Sequence, residues 1–170
     1  MIHLVTGGAR AGKSTYVLRL AEAREGPLAF VATAERSDDE MDLRITRHRA
    51  ERGPRWTTWE APRAVEAALR EADTTHATVV LDCLTVWMAN ELFASDDDEV
   101  VEARILALCA CLRGMRAQVY VVTNEVGLGI VPDNALARRY RDLLGRCNQQ
   151  VAALADAVTF VVAGLPLTLK

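Results

Sequence analysis

The stretch that decides the fold is Ile2-His3-Leu4-Val5-Thr6-Gly7-Gly8-Ala9-Arg10-Ala11-Gly12-Lys13-Ser14. It begins with a short β-rich run, continues through a glycine-rich segment and enters a helical pattern after Gly12. Residues 7–14 also match the pattern G-x-x-x-x-G-K-S, in which backbone N–H groups surround phosphates. The opening of the chain therefore predicts a strand, a phosphate-binding loop and a helix.

The rest of the chain repeats this alternation of strand and helix. The patterns predict strands over residues 28–33, 56–60, 78–82, 119–123, 158–162 and 165–169. They predict helices over residues 38–52, 62–72 and 84–94, a helix starting at the acidic cluster 95–99, and a long helix over 136–154. This order predicts an α/β fold of the P-loop NTPase type, with a mostly parallel sheet, helices on both faces and a single domain over residues 1–170.

Composition excludes several classes of protein. The chain has 170 residues, 51% hydrophobic and 25% charged, which is typical of a globular protein and not of a disordered or fibrous one. The net charge of −3 gives no overall positive field, so we expect no nucleic-acid partner. Any anion that binds must be held by local groups.

The sequence also predicts a cytoplasmic location. No apolar run approaches the roughly 20 residues of a membrane span, and the first residues lack the layout of a signal peptide. Cys83, Cys109, Cys111 and Cys147 lack a metal-binding spacing, so we expect buried or free thiols. Burial in the core is also expected for the three tryptophans, Trp56, Trp59 and Trp87.

Three residues carry the chemistry of the predicted phosphate site. Lys13 is expected to reach the β- and γ-phosphates of a nucleoside triphosphate, and Ser14 is expected to coordinate Mg²⁺ at the start of the helix. Asp82 ends an apolar strand, where a carboxylate can hold the same Mg²⁺ through water. The alternative for Asp82 is a cap at the end of the strand.

His48 lies among four arginines in the segment Arg44-Ile45-Thr46-Arg47-His48-Arg49-Ala50-Glu51-Arg52. A neutral imidazole can attack phosphorus, so His48 is a candidate for a covalent nucleotidyl intermediate. A basic, solvated helix face with an incidental histidine is the alternative. His3 and His76 are interpreted as structural.

Two further segments have less specific patterns. Residues 124–132 follow a predicted buried strand and are expected at the ligand-binding edge of the sheet, where Glu125 either orients a substrate or caps its own loop. The acidic cluster at residues 95–99 is interpreted as a solvated helix start rather than a metal site.

Several stretches together resemble one family, the bifunctional adenosylcobinamide kinase/adenosylcobinamide-phosphate guanylyltransferases of cobalamin biosynthesis. The resemblance covers nearly the whole chain. It is carried by residues 5–10, 39–41 with 44–45 and His48, 122–127 with 129–132, 141–142 with Gly145, 148–149 and 155–156. The segment Thr123-Asn124-Glu125-Val126-Gly127 joined to a phosphate loop is far more selective than the loop alone.

The resemblance implies two successive reactions in an enzyme that is usually a homotrimer. A nucleoside triphosphate, ATP or GTP, first phosphorylates the aminopropanol hydroxyl of adenosylcobinamide. GTP then guanylylates a histidine, matched here by His48, and the cobinamide phosphate takes the GMP to give adenosylcobinamide-GDP.

The resemblance also implies the residues that bind nucleotide, including the phosphate loop. The remaining positions are Ala32, Thr33, Ala34, Arg49, Ala50, Glu51, Arg52, Glu60 and Asp82. Ala11 replaces a common Ser, and Asp82 stands where Glu also occurs, but neither change removes a required charge. The family pattern gives Glu125 no firm role.

Two other classes of function remain open from the residues alone. One is a P-loop kinase of another small alcohol, in which His48 is inert. The other is a non-catalytic module switched by nucleotide. The first predicts no release of pyrophosphate from GTP, and the second predicts binding without turnover.

Overall fold

The computed structural model describes residues 1–35 and 53–170. In these ranges the chain forms seven strands and five helices. The strands are β1 (Ile2–Gly7), β2 (Leu28–Ala32), β3 (Trp56–Glu60), β4 (Thr78–Asp82), β5 (Gln118–Val122), β6 (Ala157–Val162) and β7 (Leu165–Thr168). The helices are α1 (Lys13–Glu22), α2 (Val65–Thr75), α3 (Leu84–Ala94), α4 (Asp98–Gly114) and α5 (Ala135–Leu154).

The strands form one sheet in the order β3-β2-β4-β5-β1-β6-β7. Every neighbouring pair is parallel except β6 and β7, which form an antiparallel hairpin. Ala32 pairs with Asp82 on one side and with Glu60 on the other, so β2, β3 and β4 end together. In a parallel sheet of this kind, ligands bind at the carboxyl edge.

Helices cover both faces of the sheet, as the sequence predicts. Val17 and Ala21 of α1 pack on one face, against alternate side chains such as Val80 and Tyr120. Helices α2 to α5 pack on the other face, where the larger core surrounds the fully buried Trp87. The alternation of side chains along a strand supplies both faces with apolar residues.

The predicted strands are confirmed within one residue at each end. The predicted helix at 62–72 is wrong at its beginning, since α2 starts at Val65. The carbonyl oxygens of Pro62 and Arg63 accept hydrogen bonds from the side chains of Asn90 and Arg104, so they are engaged outside a first helical turn. The predicted helix over 38–52 lies outside the described residues.

The four cysteines are free, and three of them are buried. Of the tryptophans, Trp87 is buried whereas Trp56 and Trp59 are only half-buried at β3, so the expectation of full burial is wrong for those two. Among the described residues, none of the helices combines the length and apolar character that crossing a membrane requires.

Candidate nucleotide site

The phosphate loop joins β1 to α1 at the carboxyl edge of the sheet. Gly12, directly before the helix, has a φ of 98°, which glycine adopts without strain. Ala11 donates its backbone N–H to the Gly8 carbonyl oxygen at 3.3 Å, and this bond closes the loop. The exposed N–H groups of the loop and the start of α1 therefore face one anion-binding concavity.

Lys13 is the buried charged side chain of this loop, whereas Arg10 is exposed. It is 7% exposed, and its Nζ donates to the Gly8 carbonyl oxygen at 2.6 Å. Desolvation lowers the pKa of Lys13, while the nearby Cys83 and Asp82 act in the opposite direction. The side chain thus places an ammonium group inside the concavity, directed by the loop itself.

Ser14 and Asp82 lie together at the start of α1. The Ser14 hydroxyl donates to Asp82 Oδ2 at 2.8 Å, which joins the start of α1 to the end of β4. A hydroxyl and a carboxylate are oxygen donors of the kind Mg²⁺ prefers, so this pair fits the ion. No group of three or more His, Cys, Asp or Glu in residues 1–35 and 53–170 is arranged to hold a metal without other ligands.

Thr33 holds the ends of β2 and β4 in place. It is fully buried, and its hydroxyl both donates to the Cys83 carbonyl oxygen and accepts from the Cys83 N–H, each at 2.8 Å. Its backbone N–H donates to the Asp82 carbonyl oxygen at 3.1 Å. Of the three residues predicted to line the nucleotide site after β2, Ala32 and Ala34 are the partly exposed ones.

Cys83 follows Asp82 and lies close to it. Burial, and secondarily the negative charge of Asp82, raise the pKa of the Cys83 thiol to about 11. The thiol is therefore protonated at neutral pH and is neither a nucleophile nor a metal ligand there.

The turn between β6 and β7 packs against the phosphate loop. Gly164 donates its N–H to the Ala11 carbonyl oxygen at 2.9 Å, and a Cβ on Gly12 would lie 3.2 Å from Gly164 Cα. A Cβ on Gly7 would lie 2.3 Å from the Val161 carbonyl oxygen, so only glycine fits there. Sequence reasoning missed this support because it joins residues about 150 positions apart.

The loop after β5 is tied to the same edge. The Glu125 N–H donates to the Gly7 carbonyl oxygen at 3.1 Å, and its carboxylate accepts from the Gly127 N–H at 2.5 Å. The second of these contacts is the loop cap that the sequence allowed. Asn148 of α5 accepts from the Thr123 hydroxyl at 2.8 Å and donates to the Asn124 carbonyl oxygen at 3.0 Å.

Other predicted site residues lie farther from the phosphate loop or outside the description. Glu60 ends β3 at the same edge as Asp82, with β2 between the two strands. His48, Arg49, Ala50, Glu51 and Arg52 lie outside the described residues. His3 and His76, interpreted as structural from the sequence, form hydrogen bonds with Thr159 and Thr57 respectively.

A parallel sheet with this loop, its buried lysine and the Ser14–Asp82 pair defines a P-loop nucleotide-binding protein. Solved structures show the same fold. A KaiC-like protein from Pyrococcus horikoshii has a TM-score of 0.54 at 16% identity and covers 94% of this chain and 71% of its own. An ATPase of a bacterial type III secretion system has a TM-score of 0.58 at 13% identity and covers 98% and 56%.

The family model for cobinamide kinase/cobinamide phosphate guanyltransferase matches residues 3–169, and the chain belongs to this family. A bifunctional adenosylcobalamin biosynthesis protein from Pseudomonas aeruginosa is 42% identical over 170 residues, covering all of this chain and 98% of that protein. The corresponding proteins of Escherichia coli and Salmonella typhimurium are each 40% identical over the full length of both chains.

Proposed function

We propose that this chain carries out both reactions of its family, using the residues of the site described above. It is a cobinamide kinase and a cobinamide phosphate guanylyltransferase. The observation that carries the assignment of residues is the Ser14–Asp82 hydrogen bond beside the buried Lys13, because it assembles phosphate and Mg²⁺ ligands at one edge.

In the kinase step the phosphate loop holds the triphosphate through its backbone N–H groups. Lys13 leaves the Gly8 carbonyl and neutralises charge on the β- and γ-phosphates. Ser14 and Asp82 hold Mg²⁺, which when bound neutralises phosphate charge. The alcohol oxygen of adenosylcobinamide bonds to the γ-phosphorus, the bond from that phosphorus to the bridging oxygen breaks, and the alcohol proton leaves to solvent.

In the guanylyl step we assign His48 as the nucleophile, on its match to the family motif. An imidazole nitrogen bonds to the α-phosphorus of GTP, and pyrophosphate leaves with the electron pair of the broken P–O bond. A phosphate oxygen of the cobinamide phosphate then bonds to the same phosphorus, and the P–N bond breaks to regenerate the histidine. Contacts to the nucleotide are assigned to Ala32, Ala34, Arg49, Ala50, Glu51, Arg52 and Glu60. Thr33, which is fully buried, is assigned the role of fixing the ends of β2 and β4 beneath them.

We also propose that the enzyme is a cytoplasmic homotrimer. Support for a contact between chains comes from β7, a strand at the edge of the sheet. Its Leu165 and Leu167 are 72% and 59% exposed, and exposed apolar edge strands are typical of surfaces that meet another chain. Sedimentation at micromolar concentration tests this, and a monomer would contradict it.

The function is tested by two assays on one preparation. With γ-labelled ATP and Mg²⁺, label is expected to move to adenosylcobinamide. With GTP and the phosphorylated product, adenosylcobinamide-GDP and pyrophosphate are expected in equal amounts. Transfer of phosphate without the second product would reduce the function to that of a kinase, and binding of triphosphate without either product would indicate a non-catalytic module.

A further inference from the structure

A charged cleft of about 460 Å³ lies among α2, α3 and α4. Its charged lining consists of Arg63, Glu66, Arg70, Glu91 and Arg104. Glu66 and Glu91 are only 6% and 3% exposed. A carboxylate removed from water this far is costly unless hydrogen-bond donors replace the lost water, so the partners of each oxygen matter.

The two carboxylates differ in their partners. The two terminal nitrogens of Arg104 approach the two oxygens of Glu66 at 2.9 Å each, although only the contact to Oε2 is aligned as a hydrogen bond. Oε2 of Glu91 has only longer contacts, 3.5 Å to Arg104 and 3.6 Å to Arg63. Oε1 of Glu91 is buried and receives no hydrogen bond within residues 1–35 and 53–170. Its capacity to accept a hydrogen bond is therefore unmet by the described residues.

The charges of the cleft define the class of ligand. Three guanidinium groups disfavour a cation, and a carboxylate oxygen repels an anion placed against it. A neutral group with an N–H beside a carbonyl oxygen meets both requirements. Its N–H would donate to Glu91 Oε1, and its carbonyl oxygen would accept from an arginine such as Arg70, an exposed residue of the lining. A primary carboxamide is such a group.

The wall that carries Glu91 is attached to the edge of the sheet where the nucleotide binds. The neighbouring Asn90 donates to the carbonyl oxygens of Thr33 and Pro62, at 2.9 and 2.8 Å, just beyond the ends of β2 and β3. In the strand order, β2 lies three positions from β1, about 14 Å at a spacing of about 4.8 Å per strand. Cobinamide carries primary carboxamide arms around its ring, in addition to the alcohol arm that reacts.

We propose that this cleft is a subsite for a carboxamide arm of cobinamide, with Glu91 as the residue that recognises the amide N–H. The proposal rests on the function given above, because the alcohol must lie at the phosphate loop while another arm extends along the edge. Guanine presents a similar pairing of N–H and carbonyl groups, so the test must separate the two sources.

The test compares wild type with Glu91→Gln and with the control Glu71→Gln. Glu71 is an exposed carboxylate of α2 that does not line the cleft, so its change removes the same charge without altering the proposed subsite. The probes are cobinamide and cobinamide monocarboxylates, in which one peripheral carboxamide is hydrolysed. Equilibrium dialysis without nucleotide, followed by corrin absorbance, gives each Kd independently of turnover.

Wild type is expected to bind cobinamide about tenfold more tightly than at least one monocarboxylate, a difference of about 1.4 kcal/mol. Glu91→Gln presents an amide N–H to the cleft, so its Kd for cobinamide is expected to rise about tenfold. Because that N–H can donate to a carboxylate, the preference for the carboxamide is expected to disappear or reverse. Glu71→Gln is expected to keep the wild-type ratio between the two Kd values.

If folded Glu91→Gln kept the wild-type ratio between the Kd for the monocarboxylate and the Kd for cobinamide, the proposal would be overturned. The cleft would then be a hydrated cluster of ion pairs. A rise in the Kd for GTP with cobinamide binding unchanged would assign the cleft to the guanine base instead. Should Glu91→Gln not fold, Arg70→Ala replaces it, with an expected threefold weaker binding of cobinamide, and wild-type affinity there would overturn the proposal. Kinase turnover of the wild type reports the proposed function separately.

Discussion

The Gly164 N–H, in the turn between β6 and β7, donates a hydrogen bond to the Ala11 carbonyl oxygen at 2.9 Å. No side chain of β7 is buried, so this strand adds little to the core. The turn nevertheless contacts the loop that binds phosphate. Because the N–H groups of that loop must be fixed before the nucleotide arrives, the turn is expected to contribute to affinity more than to stability.

Substituting Gly164 by Ala tests this role, since Gly164 has a φ of 80°. A left-handed backbone costs a side chain about 1 kcal/mol, so the turn is expected to shift and the KM for ATP to rise several-fold. Gly26→Ala is the matched control, because Gly26 has a φ of 87° and similar free space but lies between α1 and β2. The unfolding temperature should fall by a similar amount in both variants. Equal KM values for ATP in the two variants would contradict the role of the β6–β7 turn in fixing the phosphate loop.

Lys13→Ala is expected to lower kcat/KM for the kinase step at least a hundredfold, because it removes the ammonium group inside the phosphate loop. The chain has one other lysine, Lys170, which is exposed and donates to the carbonyl oxygens of Ala152 and Ala153 near the end of α5. Lys170→Ala is therefore the control, with turnover expected near that of wild type. Steady-state kinetics with ATP and adenosylcobinamide give the comparison, and near-native turnover of Lys13→Ala would refute the assignment of the loop.

Asp82→Asn is expected to shift the Mg²⁺ dependence of the kinase to higher concentration by about tenfold. The amide keeps an oxygen for the Ser14 hydroxyl but loses the charge that holds the ion. Titrating turnover with Mg²⁺ at saturating ATP measures the shift. If the Mg²⁺ titrations of wild type and Asp82→Asn coincided, Asp82 would instead have the alternative role of a cap at the end of a strand. Asp142→Asn, an exposed change on α5, controls for net charge.

Alkylation of Cys83 by iodoacetamide is expected to be slow at pH 7 and to accelerate as the pH approaches 11. The raised pKa keeps the thiol protonated below that pH, and only the thiolate reacts. Mass spectrometry of peptides containing Cys83 gives the rate at each pH, under conditions where the fold is retained by circular dichroism. Fast modification at pH 7 would show that the thiol is not held in the environment described here.

The juxtaposition of the loop at residues 7–14 with Asp82 could be predicted from sequence because its information is local. Residues 7–14 contain the loop pattern, and Asp82 ends a short apolar strand, so a parallel sheet brings them to one edge. The role of Thr33 could not be predicted, because its hydroxyl bonds to the backbone of Cys83, 50 residues away. The residue pattern also does not show that the helix after β3 begins only at Val65. The carbonyl oxygens before Val65 accept hydrogen bonds from side chains of α3 and α4, and a local pattern contains no information on those contacts.

The charged cleft left only a weak signal in the sequence. Glu66 and Glu91 occupy positions flanked by apolar core residues on their helices, such as Val65 and Leu92, where a carboxylate is unusual. The periodicity of apolar residues along a helix shows that a carboxylate is out of place on its core face. It does not identify the residue that pairs with that carboxylate. Only the packing of α4 shows that Arg104 lies between the two carboxylates.

The guanylyl step is tested at His48, whose role rests on sequence and family. Incubation with labelled GTP and Mg²⁺, without corrinoid, is expected to attach one GMP per chain and to release one pyrophosphate. The P–N bond formed should be labile to acid and stable to alkali, since protonation of the ring nitrogen makes it a better leaving group. His48→Ala should abolish the label while retaining part of the kinase activity. His76→Ala is the control, because the ring nitrogens of His76 bond to Thr57 and Thr75 and its ring packs against Trp59, just before β4 and away from the phosphate loop. Label that persists in His48→Ala, or that maps to Ser14 or His3, would refute the assignment, and absence of label in wild type would leave a kinase alone.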